Sequence, residues 1–159
     1  MNSFWAHHSD GEIYRALEDF LAARIGVDGF SAGTIMAVTD GPRVVAAVLF
    51  HNYQPDAQIV ELSAASDSKR WLTRPVLRDL FGYAFNDLKC QAVVARIDPE
   101  NASLARIFAA YGFERYDIPR LRGRNKGEAI LVLTDEAWHM NGFHEREKHG
   151  QVCSKTHAA

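Results

Sequence analysis

Between residues 34 and 65 the chain lays down three runs rich in Val, Ala, Ile and Phe, with only short turns between them. Connections that short allow only antiparallel neighbours, because a parallel strand needs a crossover of a dozen or more residues. The first turn is Asp40-Gly41-Pro42, whose Asp-Gly pair suits a tight hairpin, so residues 34–53 read as a β-hairpin. A second turn at Gln54-Pro55-Asp56 leads into a third strand over residues 58–65. Whatever else the chain does, it must build around an antiparallel meander.

After the polar stretch Ser66-Asp67-Ser68-Lys69-Arg70 the period changes. Thr73 can cap a helix with Pro75 at its second position, and Val76, Leu77, Leu80, Phe81, Ala84 and Leu88 form its apolar face. Residues 91–97 read as a short strand broken by Asp98-Pro99-Glu100-Asn101. Leu104, Ile107, Phe108 and Tyr111 mark a further helix that Gly112 ends. A last strand is expected over residues 129–134. Upstream, Ser9-Asp10-Gly11-Glu12 has capping-box spacing, and Ile13, Leu17, Phe20, Leu21 and Ile25 recur at helical intervals. The expected class is α/β (α+β): a mixed, mostly antiparallel central sheet flanked by helices.

With 159 residues, 47% of them hydrophobic, the chain can bury one core without disulfides, so a single domain over residues 1–141 is expected. Residues 142–159 are polar and read as a mobile tail. A net charge of −2 supplies no bulk field to draw the protein to nucleic acid or an anionic membrane. The two cysteines, Cys90 and Cys153, are too few for a secreted disulfide framework. No N-terminal signal pattern or membrane-length apolar run is visible, and a soluble, cytoplasmic protein is expected.

Three segments carry a family resemblance: the run from Thr73-Arg74-Pro75-Val76 to Gly82-Tyr83-Ala84-Phe85, then Ala95-Arg96-Ile97-Asp98-Pro99-Glu100-Asn101, then Tyr111-Gly112-Phe113. In this order and spacing the chain resembles the GNAT N-acetyltransferase superfamily, nearest the branch that includes ribosomal-protein alanine acetyltransferases. The resemblance implies transfer of an acetyl group from acetyl-CoA to a primary amine. It implies that a splayed strand ending at Ala65 and Ser66 takes the pantetheine arm. The pyrophosphate would fall to Ser68, Lys69, Arg70, Trp71, Leu72, Thr73 and Arg74 at the helix start, where unpaired N–H groups favour an anion. Asn101 and the position of Phe108 would complete the cofactor site, while Asp98-Pro99-Glu100-Asn101 is also an ordinary turn and helix cap. The loop departs from the family pattern, because Trp71 and Thr73 stand where small residues usually let backbone amides approach a phosphate. Lys69, Arg70 and Arg74 can supply charge instead.

Acyl transfer to an amine needs a base. Glu61 is the first candidate, at a strand position where some GNAT enzymes carry a catalytic glutamate; a solvent-facing strand residue is the plainer alternative. His51 is the second candidate, with an ordinary pKa near neutrality. The resemblance puts a tyrosine acid at the place of Phe108, which cannot donate a proton. Tyr111 reads as a core or rim aromatic, and Cys90 as a core thiol.

Arg115, Arg120, Arg122, Arg124 and Lys126 crowd the approach to the last strand and read as a solvated hairpin, or alternatively as a basic rim for an anionic acceptor. No metal is expected. His149, Cys153 and His157 recur every four residues, but no preceding ligand cluster supports a zinc site. The acceptor is open among a small-molecule amine, a peptide N-terminus and nucleic acid, and a homodimer is open too. Two other functions remain. One is a phage-type nucleic-acid base modifier, since Phe50-His51-Asn52-Tyr53 and the glycine-free loop resemble the Mom family of DNA adenine modifiers. The other is a non-catalytic GNAT-fold binding module, to which Trp71 and Phe108 point.

Overall fold

Residues 1–142 are described by a computed structural model. They open on a strand that sequence reasoning missed: Asn2–His7 (β1) pairs antiparallel with Thr34–Asp40 (β2), Ala6 opposite Ile35. Only Ala6 of the six is buried, so this edge strand has no apolar alternation to read. The tail and the His149, Cys153 and His157 spacing lie outside the described residues.

The meander forms where the sequence puts it. Gly41-Pro42 joins β2 to Arg43–Gln54 (β3), which turns into Ile59–Ser66 (β4). Beyond β4 come the helix Arg74–Gly82 (α2), the strand Ala92–Ile97 (β5), the helix Ala102–Tyr111 (α3), the strands Glu114–Ile118 (β6) and Glu128–Thr134 (β7), and the helix Asp135–Met140 (α4). The sheet order is β1-β2-β3-β4-β5-β7-β6, with β4–β5 its one parallel pair. A parallel neighbour requires a crossover, and α2 supplies it. Strand β6 went unread because all five of its residues are exposed.

Each face of the sheet has its own core. On one, Tyr14, Leu17 and Leu21 of the helix Glu12–Ile25 (α1) cover Ile35, Ala37, Ala47 and Leu49. Three such side chains contribute on the order of 5 kcal/mol at roughly 1.5–3 kcal/mol each, so packing rather than propensity holds α1. On the other, Val76, Leu80 and Phe81 of α2 join Phe50, Leu62, Val93, Leu131 and Trp138.

The capping box expected at Ser9 does not start α1. With β1 ending at His7, residues 8–11 are spent turning the chain. The Asp10 carboxylate accepts from the His7 N–H at 2.6 Å, and Gly11, at φ 58°, takes the cap position without a side-chain bond. The buried face accordingly centres on Tyr14, and Ile13 and Ile25 are exposed. Helix α2 starts as expected, with Thr73 Oγ1 accepting from the Val76 N–H. It runs on through a π-helical turn, Tyr83–Asp87, in which Ala84 and Phe85 are buried. Cys90 is a buried core thiol, and burial pushes its pKa up.

Among the described residues no helix is long and apolar enough to cross a membrane. The feature of the fold that matters most for chemistry lies between its two parallel strands. Pairing of β4 with β5 runs from Ile59 opposite Ala92 to Leu62 opposite Ala95 and stops there, although β4 continues to Ser66 and β5 to Ile97.

Candidate functional site

Strand β3 breaks its register with β4 between His51 and Gln54. Asn52 sits at φ 50°, a conformation that costs a non-glycine residue energy and is found where a bulge re-aims a side chain. Just before this irregularity His51 stands directly opposite Glu61, and Ser63 follows two residues along β4 on the same face. The two candidate bases are therefore cross-strand neighbours, on the α1 side of the sheet.

Their contacts form one cluster. His51 Nε2 lies 3.0 Å from Ser63 Oγ and 4.0 Å from Glu61 Oε1, and His51 Nδ1 lies 3.3 Å from Ser31 Oγ. The Ser31 hydroxyl donates to Asn52 Oδ1 at 2.9 Å, and Asn52 Nδ2 donates to Glu61 Oε2 at 2.9 Å. The Phe30 ring meets the imidazole edge-on, with centroids 5.8 Å apart. Burial pushes the His51 pKa down, since a charged imidazolium there loses hydration, and the Glu61 carboxylate offsets part of that. His51 is 7% exposed, whereas the Glu61 side chain keeps 20% of its surface open. Glu61 is thus a partly exposed strand residue that also has Asn52 and His51 as neighbours.

Beside the cluster, β4 and β5 part. From Ser63 onward β4 remains hydrogen-bonded to β3 alone, with Ala65 opposite Ala47 and Ser66 opposite Ala46. The edge toward β5 can therefore pair with an extended ligand. Helices α2 and α3 follow β4 and β5 in the chain, which sets the partial positive charge of two helix N-termini toward the carboxyl ends of these strands, although the Thr73 and Asn101 caps already take the Val76 and Leu104 N–H groups. Crevices outside the carboxyl ends of parallel strands are where open α/β sheets bind ligands.

The loop between β4 and α2 is built by its serines. Ser66 Oγ accepts from the Ser68 N–H at 2.9 Å, and Ser68 Oγ accepts from the Arg70 N–H at 3.2 Å. Asp67 anchors the loop to α1 through Arg24 at 2.7 Å, which holds its carboxyl below the usual range. The Trp71 side chain packs against the sheet's apolar core, so the largest departure from the family's small-residue loop is turned inward. Lys69 and Arg70 are exposed, and Leu72 and Thr73 are half-buried. Asn101 caps α3, its Oδ1 accepting from the Leu104 N–H at 3.1 Å. Phe108 packs edge-on against Phe113 at 4.7 Å, and Tyr111 stacks on Phe81 at the same distance as a core aromatic whose pKa burial raises.

Three of the five cations before the last strand are engaged within the chain. Arg115 pairs with Asp117 at 2.9 Å, Lys126 with Asp98 at 2.7 Å, and Arg122 with Glu128 at 3.0 Å; Arg96 also reaches Glu128, at 2.6 Å. Arg115 belongs to β6 rather than to the turn.

Ser31 and Ser63 were not singled out in the sequence. Ser63 had a usable signal, its two-residue spacing from Glu61 on one strand face; Ser31, in a loop, had none.

No protein-family model matches the chain, and no curated protein matches it in sequence. Solved structures do match. One is a chimera of the spermidine N-acetyltransferase SpeG from Vibrio cholerae and hSSAT, with TM-score 0.66 and 11% identity over 87% of this chain and 99% of that one. The protein yncA of Salmonella typhimurium, solved with its cofactor acetyl-CoA, gives 0.61 and 15% over 83% and 93%. A GCN5-related N-acetyltransferase from Brucella melitensis gives 0.57 and 17% over 69% of this chain and 54% of its own. The fold is that of the GNAT acetyltransferases.

Proposed function

We propose that this GNAT-fold chain is an N-acyltransferase that moves an acetyl group from acetyl-CoA to a primary amine by direct transfer in a ternary complex. The observation that carries the reading is the parting of β4 from β5 at Leu62 and Ala95, with the His51–Glu61 pair standing beside it. The comparison with a structure solved with acetyl-CoA supports it.

The residues fit such a cosubstrate. The free edge of β4 at Ala65 and Ser66 offers main-chain groups to an amide-bearing arm. The positive ends of the α2 and α3 dipoles, with the side chains of Lys69, Arg70 and Arg74, offer charge to a pyrophosphate. Trp71 is turned onto the core, and Lys69 and Arg70 beside it are exposed.

The amine must lose a proton as its nitrogen attacks the thioester carbonyl, forming a C–N bond while the C–S bond breaks. His51 is buried and held toward the neutral form, which is the form that accepts a proton, and the Glu61 carboxylate stabilises the imidazolium that results. The departing thiolate takes its proton from water or from that imidazolium, because Phe108 has none to give.

The test is calorimetry and thermal melting with acetyl-CoA and CoA, followed by thiol release from acetyl-CoA in the presence of spermidine or an alanine-initiated peptide. Binding should raise the melting temperature. No binding at millimolar ligand overturns the reading. Binding with no thiol release under either amine leaves those amines excluded as acceptors and favours the non-catalytic module that Phe108 suggests.

A further inference from the structure

The cluster around His51 has a direction that the distances alone do not state. A carboxylate only accepts hydrogen bonds, so Asn52 must point its Nδ2 at Glu61 Oε2, and its Oδ1 then faces Ser31. Ser31 has one hydroxyl proton, and at 2.9 Å it is given to that Oδ1. The contact between Ser31 Oγ and His51 Nδ1 can then be made only if Nδ1 carries the proton and donates. A neutral His51 is thereby fixed as its Nδ1–H tautomer, with the Nε2 lone pair directed at Ser63, whose hydroxyl donates to it at 3.0 Å. Every donor in the sequence is set by the one before it, beginning at Glu61.

Ser63 occupies a distinctive place at the other end. It is the first residue of β4 without a partner in β5, so it stands where the two strands open, on the same face as Glu61.

We propose that Ser63 is a catalytic residue: its hydroxyl takes the proton from the attacking amine while handing its own to His51 Nε2. The inference rests on the acyltransferase reading. In the step, the amine N–H proton passes to Ser63 Oγ, the Ser63 hydroxyl proton passes to Nε2, and the amine nitrogen forms its bond to the acyl carbon as the C–S bond breaks. Ser63 ends the step unchanged, and the positive charge rests on His51, 4.0 Å from the Glu61 carboxylate. The buried imidazole thus acts as base without reaching the substrate itself. Ser31 and Asn52 are positioning residues that hold the tautomer.

Two measurements test this. Nitrogen-15 NMR of the His51 ring in the free protein should show the Nδ1–H tautomer, and the Nε2–H tautomer would overturn the proposal. Next, thiol release from acetyl-CoA is followed with spermidine or an alanine-initiated peptide as the amine. Ser63→Ala should lower kcat about 10²-fold, in the range of a lost general-base contact, with acetyl-CoA affinity by calorimetry unchanged within about twofold. Ser63→Thr keeps the hydroxyl and should restore most of kcat. An unchanged kcat in Ser63→Ala, a loss confined to acetyl-CoA affinity, or an acetyl adduct on Ser63 in intact-mass spectra would each overturn the relay, the last by showing a nucleophile instead. Failure of the wild type to bind acetyl-CoA overturns the acyltransferase reading separately, and is told apart from failure of the relay because the tautomer is read without ligand.

Discussion

His51 and Glu61 are direct cross-strand partners in the β3–β4 register, with Nε2 4.0 Å from Oε1. Each alone passes for an ordinary strand residue. Together they set a buried imidazole beside a partly exposed carboxylate, a pair whose geometry the strand register fixes.

Glu61→Gln keeps the shape and the contact with Asn52 but removes the charge. Acyl transfer should fall about 10²-fold or more at neutral pH, with acetyl-CoA affinity similar. The His51 pKa should drop further, because the one influence that raises it has gone. NMR titration of His51 in the wild type and the variant checks this. An identical His51 titration in both would show that the two side chains do not interact.

Stability should carry the mark of His51 as well. Its folded pKa lies below the 6.5 of an ordinary histidine, so below that pH the unfolded chain binds a proton that the folded chain resists. The melting temperature should therefore decline as pH falls from about 7 through 6.5 toward the folded pKa, and His51→Gln should flatten that limb. Asp67 and Asp98, held down by Arg24 and Lys126, act in a lower window, near and below 3.8. A wild-type curve level between pH 7 and 5 would contradict the first statement.

Gly33 precedes β2 at a place where the main chain comes too close for any side chain. A Cβ there would stand 2.0 Å from the Phe50 carbonyl oxygen, one residue before His51. Because the obstacle is backbone, Gly33→Ala must shift a strand, costing roughly 2–3 kcal/mol. Urea unfolding should show that loss, and a cost under about 0.5 kcal/mol would mean the strand yields easily.

What the sequence revealed and what it hid follow from the same physics. The Asp40-Gly41-Pro42 turn, the Thr73 cap and the Asn101 cap are local, and all three form where their residues predict. Strands β1 and β6 are edges: β6 is exposed throughout and β1 buries Ala6 alone, so burial imposed no clear alternation on either. The site divides in the same way. Glu61 and His51 could be named singly, but their pairing depends on a register that the β3 irregularity sets. Ser31 joins them from a loop, a proximity that only the folded chain creates.

Whether nucleic acid can serve as acceptor turns on Glu128. This carboxylate is 5% exposed and takes both Arg96 and Arg122, while Arg115 and Lys126 pair with Asp117 and Asp98. Cations engaged in this way have less to gain from phosphate, so binding of the wild type to a short DNA or RNA duplex should be weak, with a shallow dependence on salt. Glu128→Gln keeps the volume and releases two guanidiniums. Both arginines are more than a third exposed and can turn to water, which limits the stability loss to about 1–2 kcal/mol. If pairing is what silences the cluster, the variant should gain oligonucleotide affinity, with a salt slope steeper by about one to two units for two freed cations. A steep slope already present in the wild type, reduced by Arg120→Gln, Arg122→Gln and Arg124→Gln together, would instead make this rim a phosphate-binding surface and bring nucleic acid forward as the acceptor.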